Sequence, residues 1–286
     1  MRLSGKFVGD VNGKKIMHRT GSSSKRSSGV LLYVLGRLAH ASALDIWRWV
    51  SQLPEIPPTL MAPPRLTCVD MITALFPEAN SSWVEACRLE FLTDHFFSEA
   101  LNEKMVEKRR RRVNWMEWHE FLYMAVRYSK PRIVFETGVF DGQSSAIILR
   151  ALSENRSGEL VSIDLPARET IKCSTHAMPE TTIPSGCAPG WLVPDYLRAR
   201  HHLFLGDSKE LLPRLLIEYP TIDILFHDSM HTFHHQYFEY STAWPYLPDG
   251  GLLLSDDIFC SSAFHKFCKE KGKRYVRLES FGAVRK

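Results

Sequence analysis

The chain has 286 residues, of which 44% are hydrophobic and 24% are charged, and its formal net charge at pH 7 is +4. These are the values of an ordinary globular protein, so they exclude a disordered or collagen-like chain. No apolar run approaches the roughly 20 residues that a membrane-spanning helix needs, so no membrane partner is expected.

Six cysteines are spread along the chain without a Cys-x-x-Cys pair. This usage predicts free thiols in a reducing, cytoplasmic compartment, and a Cys173–Cys187 disulfide stays open as the alternative. Residues 1–112 hold 17 Lys and Arg against 11 Asp and Glu, whereas residues 113–286 hold 19 against 21. The positive excess is therefore N-terminal, and we interpret it as a solvated tail and a solvated helix face.

The N-terminal part is predicted to be a tail followed by helices. Residues 1–29 are rich in Ser, Gly and Lys and predict a disordered basic tail. One amphipathic helix is expected over residues 30–53, before a Pro-rich stretch. A long helix is predicted over residues 82–112, capped by Ser82, and a second one from Met116 to Tyr128.

Short apolar runs alternate with helical patterns over residues 132–286, after a helical N-terminal cap region that spans residues 30–131. Such alternation predicts a parallel sheet with helices on both faces. The last stretch, Arg274 to Arg285, predicts an antiparallel hairpin at the sheet edge. We therefore expect an α/β fold with a Rossmann-like, doubly wound and mostly parallel seven-stranded sheet. Its parallel strand candidates are Ile133–Phe135, Leu160–Ile163, Leu203–Leu205, Ile222–Phe226 and Leu252–Leu254.

Acidic residues stand at the ends of the first three strands. The first strand runs into Glu136-Thr137-Gly138-Val139-Phe140-Asp141-Gly142, before a helix that opens with Ser144. The second strand ends at Asp164 and the third at Gly206-Asp207-Ser208. Open α/β sheets bind ligands at this edge, and glycines in a strand-to-helix turn let a ligand approach the backbone. Each acid alone is also compatible with a helix cap, Asp207 above all.

These motifs resemble those of the class I S-adenosylmethionine-dependent methyltransferases, over residues 132–286. The Gly-x-x-x-Gly spacing lacks the third glycine of a dinucleotide fingerprint. The resemblance implies a cofactor set made of the strand-end acids, the turn glycines and the serines that open the helices: Glu136, Gly138, Gly142, Ser144, Asp164, Asp207 and Ser208. In that set the glycines lie against the methionine part and Glu136 lies near the methionine amine. Asp164 holds the ribose hydroxyls, and Asp207 and Ser208 contact the adenine.

Carboxylates also converge at the ends of the next two strands. The fourth strand runs into Asp228-Ser229-Met230-His231-Thr232-Phe233, and the fifth ends in Asp256-Asp257. Three carboxylates at one point repel one another unless a cation lies between them. A hard divalent ion such as Mg²⁺, which takes oxygen ligands, resolves this repulsion. Asp228, Asp256 and Asp257 are therefore the predicted metal ligands.

The same stretch resembles the metal-dependent small-molecule O-methyltransferases. Its Asp-Ser-x-His-Thr-aromatic signature is most similar to the branch of the cephalosporin-hydroxylase-like and rhamnosyl O-methyltransferase-like proteins. In the catechol type a lysine three residues after the first metal acid is the base, and the matching position here is His231. The resemblance therefore implies His231 as the catalytic base, for which an ordinary imidazole pKa of about 6.5 is suitable. A two-histidine, one-carboxylate iron or zinc site stays an alternative.

A loop of 36 residues, Pro166 to His201, separates the second and third strands and is predicted to be a lid over the active site. The sequence thus predicts an S-adenosylmethionine-dependent O-methyltransferase that acts on a small-molecule acceptor, such as a sugar or a secondary metabolite. Nitrogen as the acceptor, transfer without a metal and a non-enzymatic cofactor-binding protein stay open, as does a homo-oligomer. A nucleic-acid methyltransferase that uses the Lys108–Arg112 run is not expected, because the fourth strand lacks an Asn/Asp-Pro-Pro-aromatic motif.

Overall fold

The computed structural model describes residues 58–166 and 182–286. Its seven strands are β1 (Ile133–Thr137), β2 (Glu159–Asp164), β3 (His201–Leu205), β4 (Ile224–His227), β5 (Leu252–Ser255), β6 (Val276–Leu278) and β7 (Phe281–Arg285). They form one sheet in the order β3-β2-β1-β4-β5-β7-β6, in which β1 to β5 are parallel and β7 is antiparallel to both of its neighbours. This arrangement confirms the predicted mostly parallel sheet with a C-terminal antiparallel hairpin.

The central strands are buried on both faces because their sequences are continuously apolar. In β1, Val134 packs into the core on one face of the sheet and Phe135 into the core on the other. Most of the polar side chains of these strands lie toward the carboxyl ends, as Glu136 and Thr137 do in β1. Parallel strands place these ends at one edge of the sheet, so the polar residues that follow β1, β2, β4 and β5 lie together.

The helices of the described residues are α1 (Pro58–Met61), α2 (Cys68–Leu75), α3 (Ser81–Leu92), α4 (His95–Arg109), α5 (Glu117–Ser129), α6 (Gln143–Asn155), α7 (Ser208–Glu218), α8 (Phe233–Ala243) and α9 (Ala263–Glu270), with 3-10 turns at Asp195–Arg200 and Trp244–Tyr246. Helices α2 to α6 share one apolar core with one face of the sheet, and α7 to α9 share a second core with the other face. The sheet is therefore covered on both sides.

The prediction of one long helix over residues 82–112 is wrong. The structure has two helices, α3 and α4, because Asp94 begins a new one: its Oδ1 accepts a hydrogen bond from the backbone N–H of Phe97 at 2.9 Å. The cap of the first helix is Asn80 rather than Ser82, since Asn80 Oδ1 accepts from the N–H groups of Ser82 and Trp83. The apolar spacing continues across the break, so periodicity alone did not reveal it.

The predicted basic tail at residues 1–29 and the predicted helix at residues 30–53 lie outside the described residues. The predicted division into a cap region at 30–131 and a sheet region at 132–286 stays a prediction. Within the described part, α5 packs directly against α6 and against the sheet, for instance through Trp118, whose ring stacks on Phe281 at 5.1 Å.

Candidate active site

The strand ends meet where β1, β2, β4 and β5 are in register. Thr137 pairs with Ile163 of β2 and with His227 of β4, and His227 pairs with Ser255 of β5. The loops that begin at Gly138, Asp228 and Asp256 therefore leave the sheet side by side. These are the loops that carry most of the predicted site residues.

The two glycines of the first loop are required by contacts within the protein. Gly138 has φ +85°, and a Cβ atom there would lie 2.0 Å from the backbone oxygen of Asp228. Gly142 has φ +94°, and its Cβ would lie 2.7 Å from the Cα of Gly190. Left-handed backbone and this close approach together exclude a side chain. The expected contact of both glycines with the cofactor stays a prediction.

Glu136 is fully buried, and hydroxyl groups of this chain surround it. Ser144 donates to Oε1 at 2.7 Å, and Ser145 and Ser162 donate to Oε2 at 2.6 and 2.7 Å. Burial raises the pKa of Glu136 to about 7, against the effect of the three hydroxyl donors. The predicted cofactor residue Ser144 thus positions Glu136, and a cofactor contact by either one stays a prediction.

Asp164 holds the backbone of the same loop. Its Oδ2 accepts from the N–H groups of Val139 at 3.0 Å and Phe140 at 2.6 Å, and its Oδ1 accepts from Leu165 at 2.6 Å. Phe140 lies at φ +51°, so this anchoring also fixes an unusual backbone conformation. The carboxylate lies at the strand end where the ribose contact is predicted, and that contact stays a prediction.

Asp207 caps helix α7, since its Oδ1 accepts from the N–H of Lys209 at 2.8 Å. The hydroxyl of Ser208, in contrast, donates into the buried interior, to Glu239 Oε1 at 2.5 Å. Asp207 therefore acts as a helix cap, which the sequence analysis gave as one of its two possible roles. The adenine contacts of both residues stay predictions.

Glu239 is a buried carboxylate that sequence reasoning missed. It lies in the middle of α8 with no exposed surface, yet five groups converge on it within 3.0 Å. They are the hydroxyls of Thr137, Ser208 and Ser229 and the rings of His227 and His235. Burial alone would raise the pKa of Glu239, but the histidines lower it well below its usual range. Glu239 therefore links the segments that follow β1, β3 and β4 through hydrogen bonds.

A second missed residue is Asp141, inside the glycine loop. Arg109, at the end of α4, donates to both of its oxygens at 2.6 Å, and Trp191 Nε1 donates to Oδ1 at 2.7 Å. The Arg109 and Asp141 side chains are only 9% and 6% exposed. Arg109 of the basic Lys108–Arg112 run thus fixes the glycine loop, rather than facing solvent. Arg109 and Asp141 are 32 residues apart in the sequence, so no local pattern predicted this pairing.

His231 lies between two of the predicted metal ligands. Its Nε2 is 3.5 Å from Asp228 Oδ1, and its Nδ1 is 3.3 Å from Asp257 Oδ2. Burial raises the pKa of Asp228 to about 7, and the Asp256 carboxylate adds to this rise. Burial and the Asp257 carboxylate raise the pKa of Asp256. Despite burial, the surrounding carboxylates raise the pKa of His231. The structure thus brings Asp228, His231 and Asp257 together as expected, with Asp256 following β5 beside them.

One further side chain reaches this cluster. Cys260 follows Asp257 in a turn in which the Cys260 N–H donates to the Asp257 carbonyl at 3.0 Å. Ligand atoms of His231, Asp257 and Cys260 all lie within 4.8 Å of one another. Among the described residues the cysteines are free thiols, including Cys187. The alternative of a Cys173–Cys187 disulfide involves Cys173, which lies outside the described residues.

The profile of a protein family described as a methyltransferase domain matches residues 135–258. A search of curated proteins found no match. Similar solved structures include a methyltransferase of Podospora anserina bound to S-adenosylhomocysteine, with 15% identity over 65% of this chain and 87% of that chain at a TM-score of 0.45. They also include an O-methyltransferase of Bacillus cereus in complex with S-adenosylhomocysteine, with 14% identity over 68% of this chain and 92% of that chain at a TM-score of 0.46.

A third similar structure is CalS11, a TDP-rhamnose 3'-O-methyltransferase of calicheamicin biosynthesis, with 18% identity over 72% of this chain and 94% of that chain at a TM-score of 0.44. Within the described residues, no helix is both long and apolar enough to cross a bilayer. The family match spans the strands and loops that carry the glycine turn, Glu136, Asp164 and Asp228. Residues 135–258 therefore match a family of methyltransferase domains, in agreement with the resemblance given by the strand-end motifs.

Proposed function

We propose that the protein transfers a methyl group from S-adenosylmethionine to a hydroxyl group of a small molecule, assisted by a divalent cation such as Mg²⁺, with His231 as the base. The observation that carries this proposal is the position of His231 between Asp228 and Asp257, at 3.5 and 3.3 Å, where β4 and β5 end. A sugar or a secondary metabolite is the proposed acceptor class.

The residues at the ends of β1 to β3 fit a cofactor of this kind. S-adenosylmethionine supplies an already activated methyl group, so the protein's task is mainly to position the acceptor. Asp164 is the proposed ribose ligand, and Asp207 and Ser208 are the proposed adenine ligands. Gly138, Gly142, Glu136 and Ser144 are proposed to form the wall beside the methionine part.

The chemistry of the donors after β4 and β5 fits a hard divalent ion. Asp228, Asp256 and Asp257 offer carboxylate oxygens, and burial together with a neighbouring carboxylate raises the pKa values of the first two, which favours a bound cation. When bound, such an ion would lower the pKa of a coordinated acceptor hydroxyl. These three residues are therefore the proposed metal ligands.

His231 is suited to take up the acceptor proton. Two carboxylates flank its ring, so they stabilise the imidazolium that forms and keep the ring in one orientation. A transfer without a metal is the second candidate, because the Asp228–His231 pair by itself has the arrangement of a base and its orienting acid.

The remaining parts of the proposal concern the setting of the enzyme. Free thiols support a cytoplasmic location. Arg109 of the basic run is paired with Asp141, which supports a small-molecule acceptor rather than nucleic acid. We keep the tail at 1–29, the cap at 30–131 and the catalytic region at 132–286 as the proposed division, and the lid role of 166–201 as part of it.

Transfer of a labelled methyl group to a panel of catechols, phenols and sugars tests the proposal. We expect EDTA to abolish transfer, Mg²⁺ to restore it, and His231→Ala to lower kcat by about 10²- to 10⁴-fold. The matched control is His234→Ala, a neighbouring exposed histidine that should leave kcat unchanged. If EDTA has no effect while His231→Ala abolishes transfer, the metal-free candidate replaces the first one. If neither treatment changes transfer, the proposed mechanism is wrong.

A further inference from the structure

His231, Asp257 and Cys260 form a side-chain cluster whose chemistry differs from that of the three carboxylates. It combines an imidazole nitrogen, a carboxylate oxygen and a thiol sulfur within 4.8 Å of one another. Asp257 and Cys260 begin and close the turn after β5, and His231 reaches them from the loop after β4. Two neighbouring strand ends therefore build the cluster.

The orientation of the His231 ring leaves one nitrogen facing this cluster. Nε2 lies 3.5 Å from Asp228 Oδ1 without a hydrogen bond, and Nδ1 lies 3.3 Å from Asp257 Oδ2. In the neutral tautomer with its proton on Nε2, the lone pair of Nδ1 faces the Asp257 carboxylate. A lone pair and a carboxylate oxygen at that distance repel each other unless a proton or a metal ion lies between them. Metal-binding histidines commonly have this arrangement, with a carboxylate on the nitrogen that does not bind the metal.

The distances suit a tetrahedral ion. Zn²⁺ bonds of about 2.0–2.2 Å to nitrogen and oxygen and about 2.3 Å to sulfur put ligand atoms about 3.4–3.6 Å apart. Nδ1 of His231 and Oδ2 of Asp257 are already at about this separation. The Cys260 side chain is exposed, and its sulfur lies within 4.8 Å of the ligand atoms of His231 and Asp257, so it is the third ligand of the cluster.

We propose that His231, Asp257 and Cys260 form a binding site for a borderline divalent transition-metal ion of the Zn²⁺ class, and that an ion bound there inhibits methyl transfer. Thiolate and imidazole ligands select such ions over Mg²⁺, which prefers oxygen ligands. The inhibition rests on the proposed function, because the ion would occupy the proposed base and one proposed Mg²⁺ ligand. The binding itself does not depend on that function.

Titration of the full chain with Co²⁺ tests the binding, since a cobalt–thiolate bond gives a charge-transfer absorption that oxygen and nitrogen ligands do not give. We expect this absorption in the wild type, its loss in Cys260→Ser and Cys260→Ala, and its retention in Cys187→Ser, the other partly accessible described thiol. His231→Gln should weaken Co²⁺ binding by at least about tenfold. Zn²⁺ should displace Co²⁺ and remove the absorption.

Absence of the absorption in the wild type would overturn the proposal, and so would its persistence in both Cys260 variants. Equal unfolding midpoints of the Cys260 variants and the wild type exclude misfolding as the cause of a loss. In the methyl-transfer assay with Mg²⁺, the Zn²⁺ concentration for half-inhibition should rise at least about tenfold in Cys260→Ser, relative to that variant's own uninhibited rate. A protein that binds Co²⁺ as expected but methylates none of the acceptors contradicts the proposed function and leaves the metal site supported.

Discussion

The two halves of the carboxyl edge of the sheet hold their acids in different ways. After β1 and β2, the buried Glu136 and the half-buried Asp164 each accept three hydrogen bonds from hydroxyl or backbone N–H groups of the chain. After β4 and β5, Asp228 and Asp257 instead share one imidazole. The first half has donors for its charges within the chain, whereas the second half concentrates charge that a proton or a cation must balance.

This difference indicates that the first half is a preformed frame, whereas the second half is arranged for chemistry. Neutral donors fix the shape of the glycine loop without adding a net charge. Adjacent carboxylates raise each other's pKa and therefore favour binding of a cation or a proton. Glu239 lies under both halves, because Ser208 contacts it from the first and His227 and Ser229 contact it from the second.

The largest effect on stability is expected from Glu239→Gln, which breaks the link between the two halves. The amide group puts an N–H donor where the protein supplies only donors, so at least one buried group loses its partner. We expect the free energy of unfolding to fall by about 3–5 kcal/mol, as measured by urea denaturation. Methyl transfer should fall as well, because Thr137 and His227 precede the two reactive loops.

The matched control is Glu218→Gln, at the exposed end of α7, which should change the free energy of unfolding by no more than about 0.5 kcal/mol. Glu239→Asp, which keeps the charge, should recover part of the lost stability. Equal stabilities of Glu239→Gln and Glu218→Gln would mean that Glu239 does not join the two halves.

Gly138→Ala should push apart the loop after β1 and the loop after β4, whose backbones are in contact at this residue. Its Cβ would lie 2.0 Å from the Asp228 carbonyl oxygen, and its φ is +85°. Strain and displacement together should lower the free energy of unfolding by about 3 kcal/mol, measured by denaturation. Gly186→Ala is the control, since Gly186 has φ +79° but nothing within 4 Å of the added atom, and should cost only about 1 kcal/mol. Equal costs at the two sites would contradict the close approach of the two loops.

Asp228→Asn should stabilise the metal-free protein above neutral pH. Because the pKa of Asp228 is raised from 3.8 to about 7 in the folded state, its contribution to stability is present below 3.8 and is lost as the pH rises through about 7. Removing the charge should therefore raise the free energy of unfolding at pH 8 by about 1–2 kcal/mol, with little change at pH 4. At saturating Mg²⁺ the wild type should instead have a higher free energy of unfolding than Asp228→Asn. Asp223→Asn, whose carboxylate accepts from the N–H groups of Arg132 and Ile133 at the opposite edge, should destabilise the protein at both pH values.

The sequence was sufficient for the features that depend on short patterns. Continuous apolar runs located β1 to β5, because central parallel strands are buried on both faces. The strand-end rule predicted that Asp228, Asp256 and Asp257 lie together, whereas His231 was implied by the resemblance to the metal-dependent O-methyltransferases. Each of these inferences needs only a few consecutive residues.

Features that depend on distant partners were not predictable in this way. The break between α3 and α4 depends on the capping geometry of Asp94, which does not interrupt the apolar periodicity. Glu239 looks like any acid on a helix, and its donors come from sequence positions up to 102 residues away. Asp141 and Arg109 lie 32 residues apart in elements that pack only in the folded protein. A single sequence has no local signal for such pairs.

The smallest effect on stability, and the sharpest test of the first half, is expected at Asp207. Its carboxylate caps α7 by accepting from Lys209 N–H at 2.8 Å, so Asp207→Ala should cost about 1 kcal/mol of unfolding free energy. A serine hydroxyl also caps helices, so Asp207→Ser should stay within about 0.5 kcal/mol of the wild type. If the carboxylate also contacts the cofactor, both variants should bind S-adenosylmethionine about tenfold more weakly by calorimetry, because a hydrogen bond to a charged group is lost. Unchanged affinity in Asp207→Ser would mean that Asp207 caps α7 and does not contact the cofactor.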